Sequence, residues 1–148
     1  MCKKLATLCI LALTIILASC APSSPYSYED GIVRIHEYFF VTMFNKIMNS
    51  RDEHIGRTIQ YEGIFASFVT SGGETLYTVY RNAPGCCSPS ESLGFEVYLA
   101  DIEPVEDDAW VEVTGVFEVY EYLGFEFVRL NVVSLIELEE RGQELVSR

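Results

Sequence analysis

The sequence is poor in basic residues and in cysteine, and each shortage excludes a class of protein. The chain has 10 lysines and arginines against 22 acidic residues, and its formal net charge is −12. Because proteins bind nucleic-acid backbones mainly through lysine and arginine, DNA or RNA is not an expected partner. Beyond residue 20 the only cysteines are the adjacent Cys86 and Cys87. A framework of long-range disulfides is therefore excluded as well.

The sequence motifs of common enzymes are also missing. The chain contains no G-x-S-x-G, H-E-x-x-H or C-x-x-C motif and no glycine-rich loop of the kind that holds phosphate. The acidic residues 106–108 lack the alternating oxygen ligands of a calcium loop and predict a solvated turn. We therefore expect a protein without enzymatic activity.

The N-terminus has the layout of a bacterial secretion signal. Lys3 and Lys4 precede a charge-free apolar run over residues 5–17, shorter than the ~20 residues that span a bilayer. The run ends in Leu-Ala-Ser-Cys, which resembles the lipobox of bacterial lipoproteins, in which the cysteine receives a diacylglyceryl group. Residues 1–19 are therefore expected to be a signal peptide. Lipid on Cys20 would then anchor the protein outside the cytoplasm, on the cell membrane or on an outer membrane if the host has one.

The rest of the chain is divided into a tether and one domain. Residues 20–30 are rich in proline and serine and predict a flexible tether behind the lipid. Residues 31–148 are enough for a single domain. Without residues 1–19, which contain two lysines and no acid, the formal net charge falls to −14. Anionic head groups would repel such a domain, so its attachment depends on the acyl chains.

Abundant aromatic and β-branched residues favour strands over helices. We expect a leading strand over 31–41, a short helix over 42–50 and, over 51–56, a turn or a helical turn closed by Gly56. Further elements follow at strands 58–70, 74–81, 95–100, 110–120 and 125–138, a loop over 82–94, an acidic connector over 101–108, and a frayed helix over 139–148.

Two glycines in the middle of strands indicate how the strands close. Gly63 and Gly115 occupy positions where a glycine typically marks a bulge or a sharp bend, and barrels need such bends. The sequence therefore predicts a mostly β domain, a small OB-like five-stranded barrel with a short N-terminal helix and with Gly63 at the bend. A β-sandwich is the alternative.

Six short stretches are similar to a known group of proteins. They are Gly56-Arg57-Thr58-Ile59, Tyr61-Glu62-Gly63-Ile64-Phe65, Tyr80-Arg81, Gly85-Cys86-Cys87, Trp110-Val111-Glu112-Val113-Thr114-Gly115-Val116 and Leu130-Asn131. Together they resemble a family of bacterial lipoproteins and the extracytoplasmic C-terminal domain of YcgQ-type membrane proteins. The resemblance implies an OB-like domain that accompanies a membrane transporter or another envelope protein. It implies no activity and no cofactor.

Cys86 and Cys87 are the main candidates for chemistry. Neighbouring Cα atoms lie ~3.8 Å apart, so a vicinal disulfide would be strained and easily reduced. Two thiolates could instead bind a soft metal ion such as zinc or copper, or the residues could be small buried hydrophobes. A zinc site would need two more ligands, and we expect His36 on the leading strand and His54 in an exposed turn to be ordinary histidines.

Two functions remain open at this stage. Tyr77, Tyr80, Tyr98 and Phe125 could stack on a ligand, but the negative charge favours a core position or a contact with another protein. The first hypothesis is a membrane-anchored, non-enzymatic binding or accessory module of an envelope or transport system. The second is a metal-binding or thiol-redox protein that uses the cysteine pair.

Overall fold

The computed structural model of the protein describes residues 28–29, 31–85 and 90–146. The expected signal peptide, Cys20, Cys86 and Cys87 lie outside the described residues. The elements are β1 (Tyr28–Glu29), β2 (Ile32–Arg34), a 3-10 helix (Glu37–Phe39), α1 (Phe40–Asn49), α2 (Arg51–His54), β3 (Thr58–Val69), β4 (Thr75–Ala83), β5 (Glu91–Tyr98), β6 (Trp110–Tyr122) and β7 (Phe125–Glu137).

Strands β3 to β7 form a closed five-stranded barrel with the strand order of an OB-type fold. The order is β3-β4-β5-β7-β6, and β6 pairs back with β3. The pairs are antiparallel except β5 with β7, which is parallel. The predicted OB-like barrel is therefore confirmed against the β-sandwich alternative. Strand β2 extends the sheet beside β3, and β1 pairs with β2.

Strand β3 pairs with two different strands along its length, as the first strand of an OB-type barrel does. Residues 58–64 pair with β6, and residues 64–69 pair with β4. Gly63 stands directly before the change of partner. A Cβ atom on Gly63 would lie 2.7 Å from the carbonyl oxygen of Tyr80, closer than side chains tolerate. Gly63 therefore lets the backbones of β3 and β4 approach closely where β3 changes partner.

The bulge lies at the other mid-strand glycine. The register through Gly63 is continuous on both sides, so the bulge proposed there as one possibility is absent. The register of β6 against β7 shifts between Thr114 and Gly115. A Cβ on Gly115 would lie 2.9 Å from the Leu130 Cβ. The close approach of β6 to β7 at this bulge therefore also requires glycine.

The core is built from alternate positions of the strands and from one face of α1. Nine alternating positions on β3, on β6 and on or directly after β5 are buried: Ile59, Tyr61, Phe65, Phe95, Val97, Leu99, Val111, Val113 and Phe117. Helix α1 buries Phe40, Phe44 and Ile47, which follow one another at helical spacing. The Phe44 ring lies 5.0 Å from the Phe95 ring, which joins the helix to the barrel core.

Three segment boundaries differ from the expectation. The leading strand ends at Arg34, and α1 begins at Phe40, because burying Phe40 against the barrel outweighs the strand preference of residues 35–41. Strand β5 begins at Glu91 because Glu91 pairs with Ala83 across the hairpin. The frayed helix expected over 139–148 is wrong, since the described residues up to 146 contain no helix there.

The expected connector and turns are confirmed. Residues 101–108 contain no helix, and the side chain of Asp107 accepts a hydrogen bond from the Ser67 backbone N–H at 2.7 Å. The Leu123-Gly124 turn joins β6 to β7, with positive φ at both residues. The helical turn α2 precedes Gly56, as predicted.

Candidate functional site

The outer surface of the barrel carries a group of aromatic side chains around one arginine. This group, here called the aromatic face, consists of Tyr98, Tyr120, Tyr122, Phe125, Phe127 and Arg129. Strand register assembles it, because Tyr120 lies opposite Phe127 and Tyr122 lies opposite Phe125 in the β6–β7 hairpin. The parallel pairing of β5 with β7 adds Tyr98 from a third strand.

Arg129 lies between two rings of this face. Its guanidinium carbon is 4.6 Å from the centre of the Tyr98 ring and 4.5 Å from that of Tyr120. Its Nε donates to the carboxylate of Glu118, the residue opposite it on β6. The Tyr120 hydroxyl donates to Glu96 Oε2 at 2.7 Å. Burial and the Glu96 carboxylate raise the pKa of Tyr120 to about 12, so the phenol is a neutral donor at ordinary pH.

The aromatic face continues onto a ribbon that extends past the barrel. Strand β3 pairs with β6 only as far as Val116, and β5 pairs with β7 only over residues 129–131. In the described sheet, residues 119–128 therefore pair only with each other. At the tip, Leu123 is 80% exposed and Phe125 is 69% exposed. Contiguous exposed apolar surface of this kind usually marks an interaction site.

The aromatic face overlaps one edge of the surface that OB barrels use for ligands. That surface lies over the second and third barrel strands and the turns between strands one and two and between four and five. Here those strands are β4 and β5, and the second of those turns is Leu123-Gly124. Tyr98 ends β5, and Phe125 follows the turn.

Sequence reasoning identified part of this surface. Of the four proposed stacking residues, Tyr98 and Phe125 belong to the aromatic face. Tyr77 instead stacks on the core residue Phe65, with ring centres 5.6 Å apart. Tyr80 is half-buried on β4. Reasoning from sequence missed Tyr120, Tyr122, Phe127 and Arg129. Their alternation on both sides of the Leu123-Gly124 turn was the available signal.

A second cluster of polar contacts surrounds Arg81, which is 2% exposed. Its Nε donates to the carbonyl of Gln143 at 3.1 Å, and its Nη1 donates to the carbonyl of Glu62 at 3.2 Å. Its Nη2 is 3.4 Å from the Glu37 carboxylate. The guanidinium lies 4.6 Å from the centre of the Trp110 ring. Burial lowers the pKa of Arg81, and the charge of Glu37 partly offsets this effect.

These contacts hold the C-terminal segment, residues 139–146, against β4. The Asn82 N–H donates to the carbonyl of Glu144 at 2.9 Å, and the Val146 N–H donates to the carbonyl of Asn82 at 2.8 Å. Val146 is buried. The segment therefore pairs with the end of β4 through an isolated parallel bridge between Asn82 and Leu145. This bridge lies close to the residues that precede the cysteine pair.

Within the part of the chain that the structure describes, neither histidine belongs to a cluster that could hold a metal ion. His36 is exposed at the start of the 3-10 helix. The expectation of an exposed His54 is wrong: it is buried, with its Nδ1 2.9 Å from the Ser50 carbonyl oxygen, because the helical turn folds back onto the barrel. Across residues 28–29, 31–85 and 90–146, no group of three or more His, Cys, Asp and Glu side chains is arranged to hold a metal ion.

A cleft lies beside Arg81, and a smaller hollow lies beside the strand ends that flank the cysteine pair. The cleft encloses about 590 Å³ and is bordered by Glu62 and Glu112, which face each other across β3 and β6. The hollow encloses about 310 Å³ and lies between α1 and the ends of β4 and β5, at Pro84 and Glu91. Metal binding or redox chemistry at the cysteines themselves stays a prediction.

Fold and surface together define a small OB-like domain with an exposed aromatic face. The chain matches the family described as the DUF1980 C-terminal domain over residues 14–144, and it therefore belongs to that family. This membership agrees with the likeness to YcgQ-type proteins inferred from the short stretches. No curated protein matches the chain. Among the described residues, the helices are too short to cross a membrane.

Proposed function

We propose that the protein is a non-enzymatic binding or accessory module of an envelope or transport system, anchored by lipid on Cys20, and that its aromatic face contacts the partner. The observation that carries this proposal is the aromatic face itself. It overlaps one edge of the surface where OB barrels bind ligands, and its rings extend onto a ribbon that the barrel does not cover.

The composition of the face supports a protein partner. Tyrosine, phenylalanine and arginine are typical of the energetically important parts of protein interfaces. Tyr122 is 55% exposed and Phe127 is 43% exposed, so both rings have large areas left to bury. The net charge of −12 disfavours polyanionic ligands that other OB barrels bind.

Site-specific photo-crosslinking in living cells tests the proposal. A photoreactive phenylalanine analogue replaces Tyr122 or Phe127 in one pair of strains and Tyr38 in the control strain. Tyr38 is 77% exposed on the 3-10 helix and lies outside the aromatic face. We expect both face positions to crosslink to the same membrane protein and Tyr38 not to do so. Equal crosslinking from Tyr38, or none from the face, would contradict the proposal.

The lipid anchor is tested separately. The expected product is a chain that begins at Cys20 and carries diacylglyceryl, and mass spectrometry of the membrane fraction measures it. Cys20→Ser should remain unprocessed or leave the membrane. An unmodified Cys20 in the wild-type membrane fraction would refute the anchor without affecting the role of the aromatic face.

Metal binding or thiol redox at Cys86 and Cys87 is the second candidate function. It is favoured by the adjacency of the two thiols and by the hollow beside the strand ends that flank them. Purified protein should then contain a soft metal ion or a labile vicinal disulfide. Elemental analysis and thiol titration with and without reductant, on wild type and on Cys86→Ala/Cys87→Ala, measure both. Two unreactive thiols and no metal would assign the pair a structural role.

A further inference from the structure

We infer that the aromatic face recognises a basic segment of the partner protein, rich in arginine or lysine. The inference rests on the proposed function and specifies the chemistry of the partner. It is carried by the contacts of one arginine of the chain itself and by the charges around the face.

Arg129 shows how the face holds a cation. Its guanidinium lies against the rings of Tyr98 and Tyr120 at 4.6 and 4.5 Å, and it is ion-paired with Glu118. Rings attract cations through the negative charge on their faces, and the attraction increases when water is excluded. The side-chain environment of Arg129 therefore combines the two groups that recognise arginine, an aromatic surface and a carboxylate.

The rings continue beyond Arg129 towards the tip of the ribbon. The Phe127 ring centre is 5.8 Å from that of Tyr120 and 6.5 Å from that of Tyr122. Tyr122 and Phe125, which lie opposite each other, are more than half exposed. Arg129 occupies only the end of this row nearest the barrel, so the outer rings can accept cations from another chain.

Carboxylates around the row are in excess over cations. Glu96 accepts a hydrogen bond from the Tyr120 hydroxyl, and Glu118 pairs with Arg129. After burial and Glu96, the charge of Glu74 also raises the pKa of Tyr120, so this carboxylate is close to the same rings. Three carboxylates therefore lie around one cation, and a cationic side chain from a partner would lower the repulsion between them. The face has both an aromatic and an electrostatic reason to bind a basic segment.

The same charges disfavour other occupants. Anionic lipid head groups and nucleic acids would be repelled by the carboxylates beside Tyr120 and by the net charge of −12. A second copy of the chain would bring two acidic ribbons together, and the single arginine of each face is already paired with Glu118. A basic segment of another protein is the occupant that complements the surface.

Isothermal titration of the full-length lipoprotein in a non-ionic detergent tests the inference. The probe is a synthetic peptide of alternating arginine and threonine, and its counterpart has glutamate in place of arginine. We expect the arginine peptide to bind, with an affinity that falls as salt is added, and the glutamate peptide not to bind. Tyr122→Ala and Phe127→Ala should each weaken binding by about three- to tenfold.

Tyr38→Ala is the matched control. Tyr38 is 77% exposed on the 3-10 helix, outside the aromatic face, and its removal should leave the affinity unchanged. Equal binding of both peptides, or equal affinity of all variants, would overturn the inference. If a face variant does not fold, the wild-type protein is labelled with ¹⁵N and titrated with the arginine peptide, and the changes in its amide chemical shifts locate the binding site. Peptide-induced shifts confined to residues 96–98 and 118–129 support the inference, and shifts elsewhere overturn it.

Failure of this inference can be distinguished from failure of the proposed function. Suppose that Tyr122 crosslinks to an acidic or apolar segment of a membrane protein. The proposed binding function is then supported, and the inference of a basic segment is refuted. Two further results would also refute it: binding to phosphatidylglycerol vesicles that Tyr122→Ala abolishes, or a dimer that the same variant dissociates.

Discussion

Replacement of Arg81 by methionine tests how the C-terminal segment is held. The buried guanidinium donates to the carbonyls of Gln143 and Glu62 and lies near the Glu37 carboxylate. Methionine keeps part of the apolar volume but none of these donors. Glu37, whose side chain is 29% exposed, would lose its partner, and the Glu62 carbonyl would lose its donor.

The size of the effect follows from these contacts. Removing one partner of a buried charged pair typically costs about 3–5 kcal/mol, because a desolvated group is left without compensation. Glu37 is partly solvated, which lowers the cost. Each hydrogen bond to a charged donor contributes about 1.5–3 kcal/mol. The Gln143 carbonyl loses two such bonds and the Glu62 carbonyl loses one. These costs all describe the loss of one guanidinium, so they overlap and are not added. We therefore expect Arg81→Met to reduce the free energy of unfolding by about 3–4 kcal/mol.

Trp110 provides the assay, since it is the only tryptophan of the chain. Its ring centre lies 4.6 Å from the Arg81 guanidinium, and the C-terminal segment crosses the same ring at Gly142. Urea unfolding followed by tryptophan fluorescence and by circular dichroism measures the stability. Amide exchange at Asn82 and Val146, whose N–H groups bond across the segment, measures local release.

Arg57→Met is the matched control, because Arg57 is exposed and bonds a carbonyl within its own turn. Its effect should stay within about 0.5 kcal/mol, as is usual for surface substitutions. The reasoning is refuted if Arg81→Met costs less than about 1 kcal/mol, the lower limit for an unsatisfied buried group. Unchanged exchange at Val146 would separately refute the role of Arg81 in holding the segment.

Three further predictions concern single side chains. Gly63→Val should cost about 1–3 kcal/mol in urea unfolding, because its side chain would overlap a neighbouring backbone carbonyl. Gly72→Val, in an open turn, is the control, and an equal loss there would contradict the reasoning. Tyr120, with its pKa raised from 10.0 to about 12, stabilises the fold below the lower value and loses this contribution as pH rises through the higher one. Tyr120→Phe should therefore flatten the alkaline fall in stability, and an unchanged slope would argue against the shift. His54→Ala should cost about 1–3 kcal/mol in the same unfolding assay, because it removes a buried ring and its hydrogen bond with the Ser50 carbonyl. A change no larger than that of an exposed substitution would contradict this.

The barrel could be predicted from sequence because its information is local. Ile59, Tyr61 and Phe65 alternate on one strand, and Gly63 falls where that strand passes close to its neighbour. Period-two alternation and mid-strand glycines are visible without any knowledge of strand pairing. The same local reading was wrong over residues 35–41. There, strand-forming residues enter a helix because Phe40 is buried against Tyr61.

The contacts that depend on distant residues could not be predicted. The charged sequence after residue 138 is typical of an exposed end, yet Val146 is buried because Arg81 and Asn82 bind the backbone beside it. The Arg129 site requires the parallel pairing of β5 with β7. No sequence pattern shows that register, so the candidate site was only partly found.

Arg81 and Arg129 show how the same chemistry can have two roles. Each guanidinium lies about 4.6 Å or less from an aromatic ring and near a glutamate. Arg81 is 2% exposed, and its other donors bond backbone carbonyls, so its contacts are complete and hold the fold together. The side chain of Arg129 is 25% exposed, and the rings beside it continue outward to Tyr122. Contacts at Arg129 are therefore incomplete towards solvent, which is why substitutions on the aromatic face should affect binding and substitutions at Arg81 should affect stability.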